Sequence, residues 1–244
     1  MVDAPPATPR AGAWRSPLLP PVFSGFHPPR WWWHAAFALS LAPLLYLIPL
    51  FVAYAQNAPP ESVRYLGTEP IKAVEHFTGE WTLRFLMFTL AVTPIRQLIG
   101  WNWLGRYRRM IGLFAFFYAC VHLVIFGVLD LELVWGDLGR EIEKRPYLLV
   151  GMSALLTMAP LAITSTRGMV KRLGGHRWAR LHKLIYLVVI LGTIHFFMSV
   201  KKDIDDPIMF ASIFAGLLAY RLWEHTRTWD VVRERLTGAP RSRR

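Results

Sequence analysis

Six long apolar stretches constrain the fold of this chain more than any other feature of its sequence. Each is continuously apolar rather than alternating, which excludes a spanning β-barrel and favours helices. A helix rises about 1.5 Å per residue, so stretches of this length can cross the roughly 30 Å hydrocarbon core of a bilayer. We therefore predict an all-α integral membrane protein, a bundle of six transmembrane helices. The predicted spans are residues 34–55, 81–99, 110–129, 147–163, 181–200 and 207–222.

The overall composition agrees with a membrane protein. Apolar residues make up 54% of the 244 residues, and charged residues make up 18%. Soluble domains contain about 25% charged residues, so this chain has too little polar surface to coat a water-soluble globule. The single cysteine, Cys120, cannot form an intrachain disulfide or a thiolate metal cluster. Any metal that the chain holds must therefore use histidine or oxygen ligands.

The two ends of the chain differ from its apolar middle. Residues 1–30 contain eight prolines and no apolar periodicity, so no helix is expected to propagate there. We predict a disordered, proline-rich cytoplasmic tail over residues 1–30 and a six-helix membrane domain over residues 31–222. Residues 223–244 are predicted to form a basic cytoplasmic tail.

The distribution of charge between the spans indicates the topology. Twenty of the 28 basic residues, but only four of the 16 acidic residues, lie in the N-terminal tail, around the second and fourth connections, and from Arg221 onward. Basic residues concentrate on the cytoplasmic side of membrane proteins. Both termini are therefore predicted to be cytoplasmic, as an even number of spans requires. The basic excess then reflects topology, and no soluble basic domain is present to bind nucleic acid.

Histidines within the predicted spans are the first candidates for chemistry, because an ionisable side chain is costly inside a bilayer. His122 in the third span and His195 in the fifth lie roughly 20 and 22 Å from the cytoplasmic boundary. Both spans run in the same direction, so the two imidazoles are expected at one depth in the outer half of the membrane. Two opposed histidines are the axial ligands of a six-coordinate haem iron in a helical bundle. The alternative is that each histidine forms only a hydrogen bond to a neighbouring helix.

His182 also lies in the fifth span, about 20 Å closer to the cytoplasm than His195. One cofactor cannot contact both, and electron tunnelling decays steeply with distance, so we expect a second redox centre near His182. This centre is either an inner haem or a flavin whose phosphate is bound by arginines. The arginines available for such a phosphate are Arg108, Arg109, Arg167, Arg172 and Arg177. The alternative is that His182 is an interfacial, solvated histidine.

Further polar residues lie at the edges of the predicted spans. Arg84 is a candidate to clamp a haem propionate, or it extends to the interface. Thr164 and Ser165 are candidates to hydrogen-bond a flavin or quinone, with backbone capping as the alternative. His76 precedes the second span and is expected to be a loop or cap residue. The chain has no nucleotide-binding motif, so its electron donor is expected to be a quinol or a separate flavoprotein.

Motifs distributed along the chain match a known family. The matching segments are Gly67-Thr-Glu-Pro-Ile71, His76-Phe-Thr-Gly79, Arg108-Arg-Met-Ile-Gly-Leu113 leading to His122, Lys144-Arg-Pro-Tyr147, Ile163-Thr-Ser-Thr166 and Trp178-Ala-Arg-Leu-His182-Lys-Leu-Ile-Tyr186 leading to His195. In order and spacing, over residues 34–222, they resemble the MsrQ family of haem-binding membrane subunits of bacterial periplasmic methionine sulfoxide reductase systems. More distantly, the pattern is similar to the ferric-reductase-type transmembrane domain of NADPH oxidases and STEAP proteins.

The resemblance implies cofactors and partners. It implies an FMN and haem b, with one or two haems per chain depending on the inner ligands. It also implies electron transfer across the bacterial inner membrane, from respiratory quinols or a cytoplasmic flavin reductase to a periplasmic molybdenum-containing methionine sulfoxide reductase. Such a chain is the electron-transfer subunit of an oxidoreductase complex and not its catalytic subunit. The motifs assign His122, His182 and His195 as haem-associated, but the third span has no second histidine at the depth of His182.

Two other functions fit the same architecture. A ferric or cupric ion reductase acts without a protein acceptor, and the acidic outer residues Asp203, Asp205 and Asp206 would then attract cations. A haem-free scaffold or transporter uses the histidines for packing or proton relay. The pigment content of the purified protein separates the haem-free alternative from the other two.

Overall fold

The computed structural model describes residues 28–56, 67, 69–132, 136, 138–200 and 204–237. The regular secondary structure in these ranges is helical, without strands, which confirms the predicted all-α class. The helices are α1 Trp31–Ala55, α2 Pro70–Ile99, α3 Arg108–Ile125, α4 Leu138–Lys144, α5 Tyr147–Ile163, α6 Arg167–Leu173, α7 Gly175–Leu181, α8 Leu184–Ser199 and α9 Asp205–Thr237. A 3₁₀ turn, Asn102–Arg106, precedes α3, and a π turn, Phe126–Asp130, extends it.

Three helical segments are long and apolar enough to cross a membrane, namely Trp31–Tyr54, Arg108–Asp130 and Gly175–Ser199. A fourth exists if α5 and α6, which are bent by 90° relative to each other, form one span. The chain is therefore a transmembrane protein. The predicted second and sixth spans lie inside α2 and α9, whose polar and charged residues lower the mean hydropathy. The count of six spans and the cytoplasmic termini stay predictions.

The core of the bundle lies between α2, α3, α8 and α9. Helix α2 packs extensively on α3, and α5 packs extensively on α8. The α2–α3 pair is antiparallel, since Thr78 contacts His122 whereas Thr89 lies against Gly112. Fully buried side chains in this core include Leu86, Leu90, Tyr118, Val188, Val189 and Phe210.

Helix α1 is joined to this core by a buried tyrosine. The helix itself continues through Pro43 and Pro49 without a break. The Tyr118 hydroxyl of α3 donates to Ser40 O at 2.9 Å and accepts from the Leu44 N–H at 3.2 Å. These two backbone groups are four residues apart and would bond each other in a regular helix. The Tyr118 hydroxyl contacts both groups and so ties α1 to α3.

Two boundaries differ from those predicted. The fifth span is interrupted, because α7 ends at Leu181 and α8 begins at Leu184, with His182 in the turn between them. Helix α9 continues past Leu222 to Thr237, so much of the segment predicted as a C-terminal tail is helical. Of the predicted N-terminal tail, residues 1–27 lie outside the described residues.

Candidate functional site

His122 on α3 and His195 on α8 face each other, with ring centroids 6.2 Å apart and ring planes at 84°. Two imidazoles bound axially to one metal, at about 2.0–2.1 Å each, place their centroids roughly 6 Å apart. The observed separation of the two ring centroids matches the one expected for two imidazoles that bind a single metal. The structure thus brings together the two histidines that the sequence places at equal depth.

A backbone carbonyl holds the Nδ1 atom of each imidazole. His122 Nδ1 lies 3.0 Å from Glu75 O and 3.3 Å from Thr78 Oγ1. His195 Nδ1 lies 2.8 Å from Tyr147 O. A carbonyl oxygen only accepts, so Nδ1 carries the proton in both rings. Nε2 then keeps its lone pair, which is the tautomer that a metal-ligating histidine needs.

Two glycines make room for these rings. A Cβ on Gly79 of α2 would stand 3.3 Å from His122 Cε1. A Cβ on Gly151 of α5 would stand 2.7 Å from both Cε1 and Nδ1 of His195. Neither glycine was among the predicted site residues, because the sequence does not show which helix faces a given histidine. A small residue inside an apolar helix, the usual mark of close helix packing, was the available signal.

A third histidine borders this pair. His76 lies inside α2, so the expectation of a loop or cap position was wrong; α2 begins at Pro70, well before the predicted span. The His76 ring is 6.4 Å from the ring of Phe196. It interacts electrostatically with both His122 and His195. The outer site therefore contains two facing imidazoles and a third beside them.

His182 lies apart from the pair, in the turn between α7 and α8. Its Nε2 is 3.2 Å from Thr164 Oγ1, whose own hydrogen is donated to Pro160 O at 2.6 Å. Trp178 stacks on the imidazole at 4.0 Å and donates from Nε1 to Thr164 O at 3.0 Å. His182 therefore donates from Nε2 to the threonine hydroxyl, and Nδ1 is its acceptor nitrogen.

Arg84 has partners inside the bundle. Its guanidinium forms an ion pair with Glu80 at 2.7 Å. It also lies over the rings of Trp81 at 5.1 Å and Phe210 at 5.8 Å. The positive charge of Arg84 is thus already balanced, and its predicted contact with a haem propionate stays a proposal.

The remaining predicted ligands lie around α5 and α6. Ser165 Oγ donates to Leu161 O at 2.7 Å, which is the backbone capping considered as its alternative role. Arg172 is exposed near the end of the short helix α6. Neither residue contacts the outer histidine pair through any hydrogen bond in the described part of the chain.

Arg108 and Arg109 are adjacent at the start of α3 but have different surroundings. Arg109 lines a groove of about 690 Å³ between α1 and α3. The other lining residues are Trp33, Phe37, Leu41, Arg106, Met110, Leu113, Phe114, Phe117 and Arg167. Arg108 instead interacts electrostatically with Arg221 and with His182. Successive residues on a helix are rotated by about 100°, so the two predicted arginines serve different surfaces.

The donor set of the outer site fits haem. Across the described ranges, no three His, Cys, Asp or Glu side chains lie close enough together to hold a bare metal ion. Two imidazoles are sufficient for haem, because the porphyrin supplies the equatorial nitrogens. His122 and His195, each with Nδ1 bound and Nε2 available, therefore suit an iron porphyrin as axial ligands.

Comparison with known proteins places the chain among membrane oxidoreductase components. The family described as ferric reductase like transmembrane component matches residues 78–193. The protein-methionine-sulfoxide reductase heme-binding subunit MsrQ of Rhodospirillum rubrum is 52% identical over 157 residues, covering 64% of this chain and 76% of that protein.

Two further relatives have the same name. The MsrQ protein of Xanthomonas euvesicatoria is 48% identical over 175 residues, covering 72% of this chain and 80% of that protein. The MsrQ protein of Herminiimonas arsenicoxydans is 49% identical over 160 residues, covering 65% and 73%. The identity extends over most of each relative, and the ferric-reductase-like match includes His122 and His182. The chain therefore belongs to the MsrQ family.

Proposed function

We propose that the chain is a haem-b electron-transfer subunit of the bacterial inner membrane. It passes electrons from the respiratory quinone pool, or from a flavin donor, to a periplasmic molybdenum-containing methionine sulfoxide reductase that repairs oxidised proteins. The chain itself breaks no substrate bond, since the reductase partner is the catalytic subunit. The 6.2 Å arrangement of His122 and His195 is the observation that carries this proposal.

The outer haem site is built on helices and not on loops. Haem, when bound, supplies one-electron transfer through the ferric and ferrous states of its iron. His122 and His195 would hold it, and the carbonyls of Glu75 on α2 and Tyr147 at the start of α5 orient the two imidazoles. Because each ring is fixed by a second helix, the packing of the bundle determines the ligand geometry. The names of the relatives, which call them heme-binding subunits, support this assignment.

The inner half of the bundle serves a second redox centre around His182. FMN is the cofactor that we assign there, with an inner haem as the alternative. The stacked Trp178 and the Thr164 hydroxyl fix the His182 ring, as a cofactor neighbour requires. The ligands proposed around this centre are Thr164, Ser165, Arg108, Arg109 and Arg172.

Reconstitution tests the proposed function. The purified chain in liposomes, supplied with a quinol and the periplasmic reductase, is expected to show haem reduction by the quinol and reoxidation by the reductase with methionine sulfoxide. The His122→Ala variant is expected to lose both signals, since it lacks an axial ligand. A wild-type protein without haem, or with haem that the reductase cannot reoxidise, would contradict the proposal.

A ferric or cupric ion reductase is the second candidate function. Asp205 and Asp206 are exposed in the first turn of α9 and would attract cations, whereas Asp203 lies outside the described residues. Turnover with the periplasmic reductase is expected to exceed turnover with chelated ferric iron. Faster turnover with chelated iron, reduced by the Asp206→Asn substitution, would favour this second function.

A further inference from the structure

We propose that Arg221 on α9 and Arg108 at the start of α3 together bind an anionic group, a phosphate or a carboxylate, of the inner redox cofactor. The inference rests on the proposed function, because it names residues that hold the second centre. A flavin phosphate and a haem propionate are the two sources of such a group. Arg221 was counted in the sequence only as part of the basic C-terminal charge.

Neutral acceptors from two other helices hold the guanidinium of Arg221 in place. Nη1 donates to Tyr186 Oη on α8 at 3.2 Å, and Nη2 donates to Leu90 O and Thr93 Oγ1 on α2 at 3.1 Å each. The guanidinium carbon lies 5.8 Å from the centre of the Tyr186 ring. Its Nε is buried and has no hydrogen-bond partner among the described residues. The side chain is thus fixed, with one buried donor unused.

Arg108 reaches the same level of the bundle from α3. Helices α2 and α3 are antiparallel, and a Cβ on Gly112 would stand 3.5 Å from the Thr89 side chain. Arg108 lies one turn before Gly112 on α3, and Thr93 lies one turn after Thr89 on α2. Because the two helices are antiparallel, Arg108 and Thr93 lie side by side. Thr93 is a partner of Arg221, and Arg108 interacts electrostatically with Arg221. The Arg108 side chain is exposed, which leaves it able to reach a ligand.

The two arginines form a positive site without a matching carboxylate. Within the described residues, neither Arg108 nor Arg221 makes an ion pair within 4.0 Å. Like charges repel, so an anion bound between them would stabilise the arrangement. Glu224, three residues after Arg221, accepts a hydrogen bond from Gln97. Planar guanidinium groups bind phosphate and carboxylate oxygens in pairs, which defines the class of ligand.

The position of this site points to the inner redox cofactor. Tyr186, the partner of Arg221, lies one turn after His182. His182 interacts electrostatically with Arg108. The site therefore adjoins the imidazole around which the second centre is proposed. Arg108 is not among the residues that line the groove beside Arg109.

Cofactor content of Arg221→Gln tests the inference. FMN is extracted and quantified per chain, haem is quantified by the pyridine haemochrome assay, and FMN affinity is measured by titration. We expect the affinity for the inner cofactor to fall about ten- to hundredfold, the effect of losing a charge-assisted hydrogen bond. Arg221→Lys keeps the charge and is expected to retain part of the affinity for the inner cofactor. Arg180→Gln, an exposed arginine on α7 outside the site, is the matched control.

The outcomes are distinguishable. Loss of FMN with haem unchanged identifies a phosphate, and loss of a second haem with FMN unchanged identifies a propionate. Wild-type affinity for both cofactors in Arg221→Gln overturns the inference. If the variant also loses the haem of His122 and His195, it has misfolded. Arg108→Gln, at a residue whose side chain makes no hydrogen bond to another helix within the described ranges, then decides by the same readout. A wild-type protein without that outer haem would instead contradict the proposed function.

Discussion

Gly151 lies so close to His195 that a Cβ on the glycine would stand 2.7 Å from Cε1 and Nδ1 of the imidazole. Cβ atoms do not approach other atoms so closely, so Gly151→Ala must displace the ring or separate α5 from α8. Either change breaks the bond from His195 Nδ1 to Tyr147 O. We expect Gly151→Ala to lose most of its haem. Gly79→Ala, with its Cβ 3.3 Å from His122, is expected to lose less.

Haem per chain in detergent-purified variants measures this effect. Gly216→Ala on α9 is the matched control, because a Cβ there would meet no atom within 4 Å. Its haem content is expected to equal that of the wild type. A full complement of haem in Gly151→Ala would show that the glycine does not determine the position of His195.

The buried hydroxyl of Tyr118 is expected to stabilise the attachment of α1. Tyr118→Phe removes the bridge between Ser40 O and Leu44 N–H and costs about 1 kcal/mol. For a chain of this size, thermal unfolding in detergent should shift down by roughly 2–4 °C. Tyr46→Phe, on a side chain that is 51% exposed, is the control. Equal melting temperatures for the two variants would contradict a role for the hydroxyl.

The His182→Ala substitution is expected to disrupt the inner redox centre and to leave the outer haem in place. His182 contacts Thr164 and Trp178 and not the outer pair, so the low-spin haem bands should remain. Quinol-driven haem reduction in stopped-flow measurements should slow at least tenfold, since the inner centre is lost. His176→Ala, on an exposed histidine of α7, should behave as the wild type. Loss of the outer bands in His182→Ala would contradict the separation of the two centres.

Reporter fusions test the six-span topology. Alkaline phosphatase is active only outside the cytoplasm, so a fusion after Lys144 should be active. Fusions after Gly174 and after Thr237 should be inactive, because both positions follow strongly basic segments. Phosphatase activity of the fusion at Thr237 would contradict the cytoplasmic C-terminus.

The positions of the outer histidines could be inferred from the sequence, but their immediate surroundings could not. Spacing along two helices that are predicted to run in the same direction places His122 and His195 at one level. Which backbone carbonyl holds each Nδ1, and which glycine leaves room for each ring, depend on the rotation and pairing of four helices. Gly79 and Gly151 therefore became visible only when α2 and α5 were placed against the histidines.

The surroundings of the inner residues were predicted less well, because the charge of a side chain does not show which surface of the bundle it faces. Arg108 and Arg109 share one motif, yet the rotation of the helix sends them to different surfaces. Arg221 lies in the predicted sixth span but was considered only in the count of cytoplasmic charge. In the structure its side chain bonds to α2 and α8. His76 was placed outside a helix because the polar start of α2 lacks the apolar pattern of a span.

The optical spectrum of His195→Ala tests the central claim most directly. The account predicts that the purified wild-type protein shows the sharp, low-spin bands of a six-coordinate b-type haem. His195→Ala should lose them, because one axial imidazole is removed, whereas His34→Ala, on an exposed histidine of α1, should keep them. Unchanged low-spin bands in His195→Ala would contradict the assignment of His122 and His195 as the pair that holds the haem.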